Sequence, residues 1–165
     1  MRPMRPTVGI GVALALAMAA CTGPVPSVTP VASHAHDPQA DRVMAELGAQ
    51  QGMAFEPAGP HHLLGTAPDG AQLDLVGVPV EQVVLSIPSG DPGRLAEAAT
   101  PYLPHLRDLV HGPTPLWEWV AQGLLCRQVP ERAAACQASR SQGNVTATFS
   151  DGGPDFVVLS VTRAR

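Results

Sequence analysis

The sequence predicts an α+β fold in which an antiparallel sheet of about five strands carries helices packed on one face. A helical pattern opens the chain after residue 37, short strand-like segments follow, and helical segments then precede two closing strands. Strands grouped together and then helices grouped together are typical of α+β domains, whereas regular alternation indicates a parallel sheet. The 18 Pro and 16 Gly residues also favour short elements joined by many loops.

The first helix is predicted to begin at Asp37-Pro38, because Asp is a strong N-cap and Pro fits the first helical position. Apolar residues then recur at helical spacing, and Gly52 is placed to end the helix. These apolar residues are Ala40, Val43, Met44 and Leu47.

Short strand-like segments come next. Leu73 and Leu75 alternate with polar residues, as expected of a sheet with one face in water. Pro68-Asp69-Gly70 supplies turn chemistry between the second and third segments. The four segments are Met53–Phe55, His62–Thr66, Gln72–Val76 and Glu81–Ile87.

Helical spacing returns after Asp91-Pro92, another pair of cap and first-position residues. Pro101 and Pro104 should kink or split this segment, because Pro lacks an N–H and clashes with the preceding turn. A second helix is predicted from Thr114 through Leu125, and a third from Pro130 to about Ser139. The first segment has one apolar stripe, which comprises Leu95, Ala99, Tyr102, Leu106, Leu109 and Val110.

Two strand patterns close the chain, Asn144–Phe149 and Phe156–Val161, and a turn-rich loop at 150–155 joins them as a hairpin. We expect this hairpin to join the first meander in one sheet. The sequence has no internal repeat and no sign of a second domain, so residues 37–165 are predicted to form a single α+β domain.

The N-terminus has the pattern of an export signal. Arg2 and Arg5 precede an uninterrupted run of 13 small and apolar residues, Val8–Ala20. A bilayer-spanning helix needs about 20 such residues, so this shorter run behind a positive head fits a secretory signal. We expect residues 1–20 to be a signal peptide.

The run ends at Met18-Ala19-Ala20-Cys21, and there the chain resembles the bacterial lipoprotein class. In that class the signal is cut before a Cys whose thiol carries a diacylglycerol. The resemblance implies that Cys21 is lipidated with palmitate-type chains and holds the protein on a membrane of the cell envelope. Met18 stands where Leu is usual, and Ala17-Met18-Ala19 also fits ordinary signal peptidase, which would release a soluble protein that begins at Ala20.

Residues 21–36 are predicted to form a flexible tether between the anchor and the domain. Pro24, Pro26 and Pro30 block a helix and favour extended structure, so about 15 residues at roughly 3 Å each reach up to ~45 Å. Thr22 stands where some lipoproteins have an Asp for inner-membrane retention, which favours the outer membrane if the cell has two membranes.

Charge and composition limit the partners. All ten basic residues are Arg, which excludes a Lys Schiff base, a Walker Lys and a polybasic Lys tail. Without residues 1–20 the formal charge is −6, which argues against nucleic acid and against attraction to anionic headgroups. Membrane attachment would therefore depend on the acyl chains on Cys21.

Cys126 and Cys136 are predicted to form a disulfide, because bridging is the default for an even pair in an oxidising compartment. In one straight helix they would lie ~15 Å apart and out of reach, but Pro130 permits a chain reversal between them. Their spacing does not fit the Cys-x-x-Cys pattern of redox enzymes.

Two pairs of His raise a metal hypothesis, since imidazole suits Zn, Cu and Ni. His34 and His36 lie in the tether, where no scaffold fixes their geometry. His61 and His62 adjoin a strand, where neighbouring side chains point to opposite faces. We therefore predict solvated His in both places, with no metal site and no cofactor.

The sequence leaves three functions open. The favoured one is a non-catalytic binding or assembly module of the envelope that binds an unknown envelope protein or small ligand. A small hydrolase is the second, since His105 and Asp108 are three residues apart on a helix, although no nucleophile can be named. A His-based metal-binding protein is the third. The segment 65–70 with its neighbouring strands and helices also loosely resembles small exported bacterial domains of unassigned function.

Trp119 is the candidate partner contact. In the helix after Thr114 it falls on the flank of an apolar stripe that contains Trp117. On the flank it would either cover the disulfide or a strand edge, or remain partly exposed and anchor a partner, since Trp is enriched in interface hot spots. The stripe comprises Leu116, Trp117, Val120 and Leu124.

Overall fold

The computed structural model of the protein describes residues 37–88, 90–151 and 156–165. Helix α1 (Pro38–Gln51) begins and ends as predicted. The Asp37 carboxylate accepts hydrogen bonds from the N–H of Gln39 at 3.0 Å and of Ala40 at 3.3 Å, and Gly52 ends the helix with a φ of 65°. The predicted signal peptide and tether, with Cys21, His34 and His36, lie outside the described residues.

Within the described residues, seven antiparallel strands form one sheet in the order β1-β2-β3-β4-β7-β6-β5. The α+β class, the antiparallel sheet and the placement of the closing hairpin beside the meander are confirmed, but the predicted number of about five strands is wrong. The strands are β1 (Ala54–Gly59), β2 (His62–Thr66), β3 (Gln72–Val76), β4 (Gln82–Pro88), β5 (Ser139–Gln142), β6 (Val145–Asp151) and β7 (Phe156–Arg163).

The segment between β4 and β5 is helical. Its helices are a short 3-10 helix (Pro92–Arg94), α2 (Leu95–Ala99), α3 (Leu103–Val110), α4 (Thr114–Arg127) and α5 (Pro130–Ala133). The predicted split at Pro101 is confirmed, because α2 ends before it and α3 begins after it with Pro104 in its first turn. The predicted apolar stripe of this segment is buried along its whole length. In the described part of the chain, no helix has the length and apolar character that a membrane crossing requires.

Strand β5 lies where the sequence predicts the end of a helix. The third helix was predicted to reach Ser139, but α5 spans a single turn and the chain enters β5 at that residue. The first three residues of β5 are exposed, so it has no apolar alternation to reveal it. Its hydroxyls pair with β6 instead: Ser139 lies 3.1 Å from Thr148, and Ser141 lies 2.8 Å from Thr146.

The core lies between one face of the sheet and the helices. In β3 and β4 every second side chain is buried, including Leu73, Leu85 and Ile87, while the residues between them are partly exposed. Helices α2 and α3 contact β4, and α4 contacts β5 and β6. Gly123 permits the close approach of α4, because a Cβ there would lie 2.5 Å from the ring of Phe149 on β6.

Candidate binding cleft

A polar cleft of about 330 Å³ opens at one end of the sheet, where the β2–β3 turn and the end of β4 meet α2. Gln72 at the start of β3 pairs with Ser86 near the end of β4. The residues before β3 and those after β4 are therefore brought to the same end of the hairpin. The cleft is lined by Asp69, Pro88, Asp91, Arg94, Glu97, Ala98 and Pro101.

Two of the carboxylates are held in place by the backbone. One oxygen of Asp69 accepts a hydrogen bond from the N–H of Ala71 at 3.0 Å, in the predicted turn before β3. One oxygen of Asp91 accepts from the N–H of Gly93 at 3.1 Å and caps the 3-10 helix. Each carboxylate is thus fixed through one oxygen.

The remaining two charges of the cleft neutralise each other. The guanidinium of Arg94 donates from Nε and Nη2 to the two oxygens of Glu97, both at 3.0 Å. This paired hydrogen bonding raises the pKa of Arg94 and lowers the pKa of Glu97. The charge of Asp91 also raises the pKa of Arg94, so the cleft has three carboxylates, those of Asp69, Asp91 and Glu97, and one guanidinium.

Tyr102 adds a buried hydroxyl beside the cleft. The residue is 1% exposed, and among the described residues its hydroxyl has no hydrogen-bond partner. Burial raises the pKa of Tyr102 to about 12, and the nearby charge and side chain of Asp69 add to the rise. The Asp69 carboxylate therefore lies close to the Tyr102 hydroxyl.

The predicted disulfide is confirmed. Cys126, near the end of α4, and Cys136, after α5, are bonded with their Cα atoms 6.1 Å apart. The single turn of α5 reverses the chain between them, as the sequence analysis expected of Pro130.

Of the two alternatives for Trp119, a covered position and a partly exposed one, the structure has the covered position, because the residue is only 6% exposed. Its ring centroid lies 5.5 Å from that of Phe149, and its indole Nε1 donates to Gln137 Oε1 at 3.0 Å. Trp117 is buried as predicted and donates to the Gly112 carbonyl at 3.1 Å. Helix α4 contacts both the sheet and α2, so residues on the flank of its apolar stripe, including Trp119, are buried as well.

The structure separates His61 from His62. His61 lies in the β1–β2 turn with a φ of 57°, whereas His62 lies on β2 and its Nε2 is 2.7 Å from Asp74 Oδ1 on β3. No group of three or more His, Cys, Asp or Glu in the described ranges is arranged to hold a metal ion.

His105 and Asp108 do not form a pair. The His105 side chain is largely buried, with its Nδ1 3.4 Å from Glu46 on α1. The carboxylate of Asp108 lies 3.7 Å from Arg42, also on α1. Both residues therefore link α3 to α1. They do not form the acid–base pair that the hydrolase hypothesis requires.

From the sequence, Asp69 and Asp91 are predicted to be a turn residue and a cap, and neither is a predicted site residue. A signal for their proximity was present, since one precedes β3 and the other follows β4 of a predicted meander. The apolar stripe that contains Tyr102 predicts burial of this residue, but it does not indicate which residue of the sheet side Tyr102 approaches.

Comparison with known proteins gives no relative: no protein-family model, no curated protein and no solved structure matches this chain.

Proposed function

We propose that the protein is an exported, lipid-anchored protein of the bacterial cell envelope, and that its domain from residue 37 onward is a non-catalytic binding module. The anchor is Cys21, and the tether at residues 21–36 holds the domain away from the membrane. The likeness of residues 1–21 to lipoprotein signals supports the anchor.

The observation that carries the proposal of export is the bond between Cys126 and Cys136. Disulfides form and persist in oxidising compartments and are rare in the reducing cytosol. These two residues are the only Cys after Cys21, so every thiol of the exported chain then has a chemical role. The bridge and the signal are independent features of the chain, and both favour the envelope.

The cleft supports a binding role. Its carboxylates at Asp69 and Asp91 are each fixed by a backbone hydrogen bond to one oxygen. Polar groups fixed by the fold in a concave site are the usual means of orienting a small ligand.

We also infer that the described helices cover one face of the sheet, since α2, α3 and α4 contact it on the side of its buried residues.

Labelling with a radioactive palmitate tests the anchor. The full-length chain should incorporate label in a bacterial host, and Cys21→Ser should abolish incorporation. The matched control is the double variant Cys126→Ser/Cys136→Ser, which loses two thiols but should keep the label. Label that persists in Cys21→Ser, or that is absent from the full-length chain, would contradict the proposal.

A further inference from the structure

A second concave site, the α3–α4 groove, lies between helices α3 and α4. Its volume is about 550 Å³, and it shares no lining residue with the polar cleft. Leu103 and Pro104 contribute apolar side chains from α3, and Trp117 and Ala121 contribute them from α4. A site of this size with apolar and aromatic walls is typical of small-molecule binding. The lining comprises Thr100, Leu103, Pro104, Arg107, Asp108, Trp117 and Ala121.

The apolar wall of the α3–α4 groove is held in place and reaches solvent. The indole of Trp117 donates a hydrogen bond of 3.1 Å to the Gly112 carbonyl, which fixes the orientation of its ring. Pro104 and Ala121 are exposed, so a molecule in solution can reach this wall. Contact with an apolar ligand removes both surfaces from water, and a wall that is already fixed loses little entropy on binding. The groove therefore favours a ligand with an apolar body.

The two charged side chains of the groove differ in their partners. The Asp108 carboxylate lies 3.7 Å from the guanidinium of Arg42 on α1. The side chain of Arg107 has no ion pair or hydrogen bond within the described part of the chain, although acidic residues outnumber basic ones by 14 to 10 in the sequence. The positive charge of Arg107 can therefore pair with an anionic group of a ligand whose body lies in the groove.

We infer that the α3–α4 groove binds a small amphipathic carboxylate, with its apolar body against Leu103 and Trp117 and its carboxylate on Arg107. A guanidinium donates two parallel hydrogen bonds to a carboxylate, and this charged pair is stronger than a neutral hydrogen bond. Arg107 would repel an amine and would gain no ion pair from an alcohol. The groove is a site outside the proposed function, and the assignment of a ligand to it rests on the proposal that the domain is a binding module.

Calorimetric titration of the full-length chain with octanoate, octanol and octylamine tests the inference, because the three compounds have the same apolar chain and differ in the charge of the head group. Octanoate should bind at least about tenfold more tightly than octanol, and octylamine should bind more weakly than either.

The indole N–H signals of the two Trp residues report where octanoate binds. The Trp117 signal should shift, because this residue lines the groove. The Trp119 signal should stay in place, because its indole packs against Phe149 and donates to Gln137, away from the groove lining. The variant Trp117→Phe assigns the two signals.

Two variants test the charge and the shape of the groove separately. Arg107→Gln removes the charge at an exposed position and should weaken octanoate binding about tenfold or more, whereas Arg132→Gln on α5 changes net charge equally and should have no effect. Ala121→Leu places a larger side chain in the groove and should also weaken binding about tenfold or more, whereas Gln122→Leu, the next exposed residue of α4, should have no effect. Circular dichroism verifies the fold of each variant.

Absence of octanoate binding would overturn the inference, as would octylamine binding that is as tight as that of octanoate. Octanoate affinity that Arg107→Gln and Ala121→Leu both retain, or a shift of the Trp119 signal without one of Trp117, would place the ligand elsewhere and overturn it as well. None of these results affects palmitate labelling at Cys21, so the ligand class and the proposed anchoring fail separately.

Discussion

The indole N–H of Trp119 on α4 donates a hydrogen bond of 3.0 Å to the side chain of Gln137, just beyond the disulfide. On its other side the indole packs against Phe149 of β6, whose ring also lies 4.2 Å below the guanidinium of Arg127. Trp119 therefore joins α4, the sheet and the disulfide region, and it is part of the interior.

Replacement of this residue tests that placement. Trp119→Ala should lower the free energy of unfolding by about 3–5 kcal/mol, because it leaves a cavity against Phe149 and an unpaired Gln137. The neighbouring Glu118→Ala, at an exposed position, should change it by less than about 0.5 kcal/mol. Urea denaturation measures both, and a similarly small loss from Trp119→Ala would place the indole at the surface.

The disulfide should contribute measurably to stability. The double variant Cys126→Ser/Cys136→Ser removes the bridge without leaving a single free thiol, and it should lower the free energy of unfolding by roughly 3 kcal/mol, since the bridge constrains the unfolded chain. Dithiothreitol should destabilise the unsubstituted protein by a similar amount and leave the double variant unaffected. Sensitivity to reductant in the double variant would contradict this account.

The contact between α4 and β6 depends on Gly123. Gly123→Ala places a methyl group 2.5 Å from the Phe149 ring, and that ring is held by Trp119 and Arg127. The substitution should therefore cost about 1–3 kcal/mol of stability, although Ala is the better helix former. Gln122→Ala on the exposed side of the same helix is the control and should be neutral. A stabilised Gly123→Ala variant would show that α4 lies farther from the sheet.

Tyr102→Phe should leave the protein at least as stable near neutral pH, and about 1 kcal/mol more stable if the unpaired hydroxyl is a net cost. Most substitutions at buried positions destabilise, so this outcome is diagnostic. A loss of 1 kcal/mol or more would show that the hydroxyl has a strong partner in the protein. The measurement is urea denaturation at pH 7.

Stability at high pH should also depend on Tyr102. Its pKa in the fold is about 12, above the ordinary value of 10.0, so the fold favours the neutral hydroxyl. The stability that this preference contributes is complete below about pH 10 and is lost as the pH rises through 12. Denaturation at pH 8 and pH 11 should show a steeper loss for the unsubstituted chain than for Tyr102→Phe. Identical losses would mean that the hydroxyl is not desolvated.

The parts of the fold that the sequence predicted are those with local physical causes. Asp37 and Gly52 set the bounds of α1 by capping, and Pro101 separates α2 from α3. Strand β5 was not predictable in this way, because an exposed edge strand is defined by its pairing with β6 and has no hydrophobic pattern.

The sequence predicted the local roles of two cleft residues but not the cleft that they line. Asp69 and Asp91 were recognised as a turn residue and a cap, and those local roles are confirmed. Their convergence with Tyr102 depends on strand pairing and on the docking of the α2–α3 segment, which are tertiary features. The burial of Trp119 is also a tertiary feature. The helical periodicity of α4 predicts its apolar stripe, but it does not predict that α4 is packed on more than one side.

The central claim, an exported protein anchored through Cys21, is tested most directly by the intact mass of the protein isolated from the cells that produce it. We predict a chain that begins at Cys21, carries a diacylglyceryl group on that thiol, and lacks the hydrogen atoms of the Cys126 and Cys136 thiols. A chain that begins at Ala20 without lipid, or that keeps residues 1–20 and has both downstream thiols reduced, would contradict the account.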